Sequence, residues 1–132
     1  MTKRRLRLRR RGVTTVEFAL VLPMLLLIVF GAFEFSRANM LRNSIENAAF
    51  EGVRRGIIPG ATASEAQTAA QDLLDILRIN DSAITISPAT IDDNTESVTV
   101  TVSAPMTMAN HYVMPKFFLG KTLTASITLP CE

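Results

Sequence analysis

The segment Pro105–Lys121 contains the side chains of this sequence that are best suited to bind a metal ion. Four soft ligands lie close together in it: Met106, Met108, His111 and Met114. Thioether and imidazole groups are ligands that Cu(I) accepts. The same segment holds Tyr112, Phe117 and Phe118, which a copper site does not need. We therefore interpret its methionines and aromatic residues as an apolar flap that packs on the sheet or on a neighbouring subunit, because methionine adapts to irregular surfaces, and we keep copper handling as an alternative.

The sequence as a whole shows no enzyme signature. It has one histidine, one cysteine, no G-x-S-x-G motif and no glycine-rich phosphate loop. Asp92 and Asp93 have the character of turn residues, while Asp72 and Asp75 are typical of a solvated helix face. Because Cys131 is the single cysteine, a disulfide could form only with another chain. We predict that the protein is not an enzyme and that it holds no cofactor or metal ion.

Charge is divided sharply at Gly12. Seven of the fourteen basic residues precede this glycine and all twelve acidic residues follow it, so residues 13–132 carry a formal side-chain charge of −5 from seven basic and twelve acidic residues. A basic run can bind nucleic acid. When the run directly precedes an apolar segment, it instead keeps that end of a membrane span in the cytoplasm. We predict a basic leader over residues 1–12 and no nucleic-acid partner.

An uncharged apolar run follows the leader and extends from Phe18 to Phe33. A bilayer span needs about 20 apolar residues. The predicted span therefore covers residues 13–35, which encloses Glu17 and Glu34. A secretory signal peptide would end in a small-residue cleavage site, and none follows this run. We predict a single-pass span that is either uncleaved or cleaved before the apolar run.

Helical spacing continues beyond the span. Apolar residues recur there at steps of three and four, at Ala38, Leu41, Ile45, Ala48 and Ala49. This spacing predicts that the helix continues through residues 36–56 as an amphipathic segment. A second amphipathic helix is predicted from Ala63 to Arg78, with Ser64 as its N-cap.

The sequence period changes to two in the last third of the chain. Apolar and hydroxyl side chains alternate in three stretches, Ile84–Ser87, Val98–Ser103 and Leu123–Leu129. This alternation predicts three half-buried strands, with D-D-N-T-E as the loop between the first two. The predicted fold class is α+β: a long N-terminal helix that includes the span, a second amphipathic helix and a small three-stranded antiparallel sheet. Residues 57–132 are predicted to form a small head domain.

A carboxylate at the start of an apolar span requires an explanation. An unpaired Glu17 in hydrocarbon costs about 2–3 kcal/mol on insertion scales. A cut after Gly12 would give Val13 a free amine, and the amine of a neighbouring subunit could then pair with the carboxylate. The alternative to such a pair is that the Glu17 side chain extends to the aqueous interface. The position of Glu17 near the cytoplasmic end of the span, taken alone, favours this alternative. Glycine suits a cleavage position, because the absence of a side chain lets an enzyme approach the backbone.

The stretch G-V-T-T-V-E-F, between a basic leader and an apolar span, resembles a type IV prepilin processing site. It resembles more closely the TadE-like family, the minor pseudopilins of the tight-adherence (Tad) pilus. Gly12, Glu17 and Phe18 match the family's glycine, glutamate and following aromatic residue. The stretch N-A-A-F-E-G-V-R-R-G, from Asn47 to Gly56, resembles the segment that follows the membrane in this family.

This resemblance covers residues 9–57 and departs from the family at Val53, where alanine is commoner. It implies a non-catalytic component of an adhesive pilus that a prepilin peptidase cuts between Gly12 and Val13. It also implies that Glu17 and Phe18 take part in subunit association.

The implied location is the bacterial inner membrane, with the N-terminus in the cytoplasm and an extracytoplasmic head, or a surface pilus. The implied partners are other pilins and pseudopilins, the prepilin peptidase and the Tad membrane platform. Two other functions remain open at this point. One is an unprocessed, signal-anchored periplasmic scaffold, and the other is a small copper-handling envelope protein that uses the methionines and histidine of the flap.

Overall fold

The computed structural model describes residues 4–92, 94–107 and 120–131. Over these residues the chain forms two helices and three strands, namely α1 (Arg4–Gly56), α2 (Ala63–Ile76), β1 (Ala83–Ser87), β2 (Ser97–Pro105) and β3 (Thr122–Pro130). The order of elements and their types confirm the predicted α+β fold. The chain divides into two compact units, Met1–Phe35 and Ser36–Glu132.

The first unit contains the apolar part of α1. All residues from Gly12 to Phe33 are exposed, whereas Glu34 is buried, with 6% of its surface exposed. Helical geometry continues through Pro23, although proline provides no backbone donor. A helix that is apolar on all sides and exposed on all sides is typical of a segment that faces lipid.

The second unit is built on an antiparallel sheet with β2 in the centre and β1 and β3 on either side. One face of β2 is completely buried, through Val98, Val100, Val102 and Ala104. The opposite face carries hydroxyl groups that pair across the strands. The side-chain oxygens of Thr99 and Thr128 lie 2.8 Å apart, and those of Thr101 and Ser126 lie 2.9 Å apart. The alternation of apolar and hydroxyl residues in the sequence is therefore an alternation between the core and the surface.

The second part of α1 covers the apolar face of the sheet. Four of the five apolar residues that the helical spacing selects are buried there, and Ala38 is partly buried. With Val53, the buried side chains are Leu41, Ile45, Ala48, Ala49 and Val53. Ile45 is fully buried, and complete burial of an isoleucine side chain contributes about 1.5–3 kcal/mol. The core of the second unit (Ser36–Glu132), which is called the head from here on, thus depends on residues 41–53 as much as on the sheet.

Two glycines allow α1 to lie unusually close to its neighbours. A Cβ atom added to Gly52 would lie 3.0 Å from the Cβ of Ala70, 3.1 Å from the carbonyl oxygen of Ala66 and 3.3 Å from Cγ1 of Val100. One added to Gly56 would lie 3.3 Å from the Cβ of Ala66. Small residues spaced four apart on both helices therefore meet at this contact.

The predicted N-cap of α2 is wrong. The cap is Thr62, whose side chain accepts a hydrogen bond from the backbone N–H of Glu65 at 3.3 Å. The Glu65 carboxylate in turn accepts one from the backbone N–H of Thr62 at 3.2 Å, which completes a capping box. Ser64 lies inside the helix, where its carbonyl accepts a hydrogen bond from the Thr68 hydroxyl.

The second helix also ends earlier than the predicted Arg78. Its last residue is Ile76, and Arg78 has a left-handed backbone with a φ of 55°. The N–H of Ile79 then donates to the carbonyl of Leu74 at 2.9 Å. A left-handed residue followed by this bond is a common way to end a helix.

Candidate processing and assembly site

The residues of the predicted processing site lie on one exposed stretch of α1. Apart from its two chain neighbours and the backbone of its own helix, no described atom would lie within 4 Å of a Cβ added to Gly12. The side chains of Val13 and Phe18 are 58% and 64% exposed. An enzyme or a neighbouring helix could therefore reach this stretch without displacing a packed side chain.

Helix geometry relates Glu17 to the predicted cleavage position. Val13 and Glu17 are four residues apart in α1, so they share one face of the helix and differ by about 6 Å along its axis. Helical side chains tilt toward the N-terminus, which directs the Glu17 carboxylate toward Val13. If the chain began at Val13, this carboxylate would lie near the positive end of the helix dipole, where a negative charge is favourable.

Glu17 has no ionic partner in the part of the chain that the structure describes. Its side chain is exposed and forms no hydrogen bond or ion pair with residues 12–92, 94–107 or 120–131. Other glutamates of α1 do have ionic partners: Glu46 pairs with Arg42 at 2.8 Å and Glu51 with Arg54 at 3.7 Å. The Glu17 carboxylate is thus accessible to a group from another chain.

The apolar surface around the site is compatible with a membrane anchor. Among the described residues, one helix is long and apolar enough to cross a membrane, and this helix lies between Gly12 and Gly56 near the N-terminus. Its uncharged part, Phe18–Phe33, begins directly after Glu17. The carboxylate therefore stands at one end of the apolar run.

Only one residue of the predicted flap falls among the described residues. Met106 belongs to the core of the head, with 2% of its surface exposed, and its backbone N–H donates to the carbonyl of Lys121 at 2.8 Å. The other residues of the predicted flap, Met108, Tyr112, Met114, Phe117 and Phe118, lie outside the described residues, as does His111. The flap as a contact surface remains a prediction.

A cavity that the sequence did not suggest lies at the end of the head where α1 turns into α2. It has a volume of about 190 Å³ and is lined by the turn from Gly56 to Thr62 together with Ile91, Asp92, Thr95 and Cys131. The backbone N–H of Cys131 donates to the carbonyl of Glu96 at 2.9 Å, which holds the end of the chain beside this cavity.

The glycine contact of α1 is the second feature that sequence reasoning missed. Gly52 and Gly56 belong to the stretch E-G-V-R-R-G, and Ala66 and Ala70 repeat the same spacing on α2. This pairing of small residues four apart was visible in the sequence. Its importance comes from the close approach of the two helices, which the sequence alone does not specify.

Comparison with known proteins identifies a family for the N-terminal part of the chain. A family model described as TadE-like protein matches residues 12–54. The matched segment begins at Gly12 and includes Glu17, Phe18 and the E-G-V-R stretch. Searches among curated proteins and among solved structures gave no match.

This match confirms the resemblance to the TadE-like family, and it extends over about a third of the chain. TadE-like proteins are structural components related to the Tad pilus. The matched segment contains the apolar helix with its exposed carboxylate and the part of α1 that forms the core of the head.

Proposed function

We propose, from the TadE-like character of residues 12–54, that this chain is a minor pseudopilin of a Tad pilus, cut by a prepilin peptidase after Gly12. The observation that carries the proposal is the arrangement of Gly12, Glu17 and Phe18 on one exposed stretch of α1. This stretch directly precedes an uncharged apolar run. In a soluble helical domain such a run would be buried, because exposing it to water is unfavourable.

The division of the chain follows from the dimensions of a bilayer. Residues 1–12 form the leader and residues 13–35 the span, which at 1.5 Å per residue is about 34 Å long, against a hydrocarbon core of about 30 Å. Residues 36–56 continue the helix into the head, and residues 57–132 complete it. The basic leader keeps the N-terminus in the cytoplasm, so the head lies on the other side of the inner membrane.

Glu17 selects partners in this proposal. Helices in lipid gain nothing from the hydrophobic effect when they meet, so polar contacts and close packing decide which of them associate. Cleavage supplies the missing group, because Val13 then carries a free amine. The amine of one subunit pairs with the Glu17 carboxylate of the next, and Phe18 packs beside that pair.

The head has a structural role and offers contact surfaces for other pilins and for the Tad membrane platform. Its core is filled by apolar side chains, and one face of the sheet is covered with paired hydroxyl groups. The head carries out no reaction in this role. The subunit serves as a structural part of the assembly, either in the membrane or in the fibre.

Association with pilins is the property to test. Glu17→Ala should insert at least as well as the parent chain, because a costly carboxylate is removed. It should no longer crosslink or co-purify with partner pilins, and surface pili should be lost. Glu17→Gln should be nearly as defective, because an amide lacks the charge that attracts an amine.

Glu51→Gln is the matched control, since it changes a glutamate of the same helix within an exposed ion pair of small energetic weight. This variant should assemble like the parent chain. Normal assembly of Glu17→Ala would mean that the carboxylate has no role in association, and the pseudopilin proposal would lose its physical basis.

A further inference from the structure

The proposed scissile bond lies inside a helix. α1 begins at Arg4, so the peptide bond between Gly12 and Val13 is preceded and followed by helical residues. In a regular α-helix the carbonyl of Gly12 accepts a hydrogen bond from the N–H of Val16. A peptidase must break this bond and open the local turn before its catalytic groups can reach the Gly12 carbonyl. The ease of local unwinding therefore enters the rate of cleavage.

The sequence around this bond is unusually poor in helix-forming residues. Gly12 is followed by Val13, Thr14, Thr15 and Val16, and no other run of α1 has five successive glycine or β-branched residues. Glycine leaves the backbone free in the unfolded state, and β-branched side chains lose rotamer freedom in a helix. Threonine hydroxyls also compete for backbone carbonyls. All three contributions lower the free-energy cost of unwinding the helix at the same place.

The position of this run along the helix supports the same interpretation. Opened backbone groups are costly in hydrocarbon, where no water can satisfy them. The run ends at Val16, directly before Glu17 and the uncharged segment Phe18–Phe33. It therefore occupies the end of the proposed span, where opened N–H and carbonyl groups can be hydrated. Farther along the span, opened backbone groups would have no access to water, and no run of five successive glycine or β-branched residues occurs there.

We propose that Thr14 and Thr15 determine how fast the chain is processed, because together with Gly12 they make the helix around the scissile bond easy to unwind. This inference rests on the proposed function, since it assumes cleavage after Gly12. It assigns the two threonines a role through backbone conformation. Recognition of their hydroxyl groups by the peptidase is the competing explanation, and the variants below separate the two.

The test measures kcat/KM of purified prepilin peptidase on the full-length chain in detergent micelles, by the mass of the shortened product. In the variant Thr14→Ala/Thr15→Ala both positions become strong helix formers. Each change should slow cleavage about two- to threefold. The pair should therefore be cut about fivefold more slowly than the parent chain, which corresponds to about 1 kcal/mol of activation free energy.

Two control pairs isolate the cause. Thr14→Val/Thr15→Val keeps the branched side chains and removes the hydroxyls, so its rate should stay within about twofold of the parent rate. Val21→Ala/Val29→Ala makes the same kind of change beyond the scissile turn and should leave the rate unchanged.

Amide hydrogen exchange of the chain without peptidase measures the unwinding itself, and it should slow at residues 12–16 in the Thr14→Ala/Thr15→Ala pair. Adding Val16→Gly to that pair should restore both the exchange and the cleavage rate.

The outcomes distinguish this inference from the function on which it rests. If the parent chain is not cut after Gly12, the proposed function fails. If the parent chain is cut and the alanine pair is cut equally fast, the function stands and the inference is overturned. If the valine pair is as slow as the alanine pair, the hydroxyl groups are recognised directly and the inference is again overturned.

Discussion

Gly52 is the position at which a single methyl group should disturb the head most directly. Gly52→Ala would place a Cβ atom 3.0 Å from the Cβ of Ala70 and 3.1 Å from the carbonyl oxygen of Ala66. The most favourable separation of two carbon atoms is about 3.5–4.0 Å. Because one of the neighbours is backbone, a rotamer change cannot relieve the contact, and α1 and α2 must move apart.

Two opposing effects set the size of the loss. Overpacking of a well-filled core costs about 1–3 kcal/mol. Replacing glycine by alanine inside a helix stabilises it by about 0.8–1 kcal/mol. The difference predicts that Gly52→Ala lowers the free energy of unfolding of the head by about 1 kcal/mol.

Amide hydrogen exchange of the buried strand β2, measured on the full chain in detergent micelles, reports this loss. The central amides of β2 should exchange about fivefold faster in Gly52→Ala than in the parent chain, if they exchange through opening of the core. Gly56→Ala should have a smaller effect, because its new neighbours at 3.2 and 3.3 Å are side-chain carbons of Val98 and Ala66. Gly31→Ala should have no effect on this exchange, because a Cβ added there would meet no described atom within 4 Å beyond its chain neighbours and the backbone of its own helix.

A double variant tests the geometry itself. Ala70→Gly removes the atom closest to the new methyl group, so Gly52→Ala should cost less in that background than alone, although the contact with the Ala66 carbonyl persists. The reasoning would be refuted if Gly52→Ala slowed exchange of β2. That result would show that only helix propensity had changed, and that α1 and α2 are not in close contact at this position.

Three further predictions concern the cap, the core and the orientation of the chain. Thr62→Ala should destabilise α2 by about 1 kcal/mol, because the capping box is lost, whereas Ser64→Ala should change the exchange of the α2 amides little. Met106→Ala should lower the stability of the head by about 2–5 kcal/mol, because this side chain is 2% exposed, while Met40→Ala, at a side chain that is 62% exposed, should be nearly neutral in the same exchange measurement. Protease added to spheroplasts should digest the head, and protection of the head until lysis would contradict the proposed orientation.

The elements of this fold were predictable because their signals are local. The alternation from Val98 to Ser103 specifies a strand with one buried face, and the structure buries its valines completely. The spacing of Leu41, Ile45 and Ala48 specifies which face of α1 lies against the sheet. In both cases the side-chain period of the element and the burial of its apolar residues favour the same arrangement, so few other arrangements of the chain are compatible with the sequence.

The remaining features depend on contacts between distant parts of the chain. Helix propensity predicts that Gly52 destabilises α1, whereas in the structure the absence of a side chain at Gly52 allows close packing against Ala70. For the predicted flap, the sequence left open whether Met106 packs on the sheet or on a neighbouring subunit. Its burial in the core goes with a backbone hydrogen bond to Lys121, which is fifteen residues away in the sequence. Ser64 and Thr62 are both suitable caps by residue type. Only the capping box that Thr62 forms with Glu65 distinguishes them.

The N-terminal mass of the chain extracted from membranes tests the central claim most directly. Intact mass spectrometry of protein from cells with an active prepilin peptidase should give a chain that begins at Val13 and lacks residues 1–12. Gly12→Leu should keep the leader, because a branched side chain obstructs approach to the scissile backbone. If the parent chain from such cells were recovered only at full length, it would be an unprocessed membrane-anchored protein, and the proposed function would be contradicted.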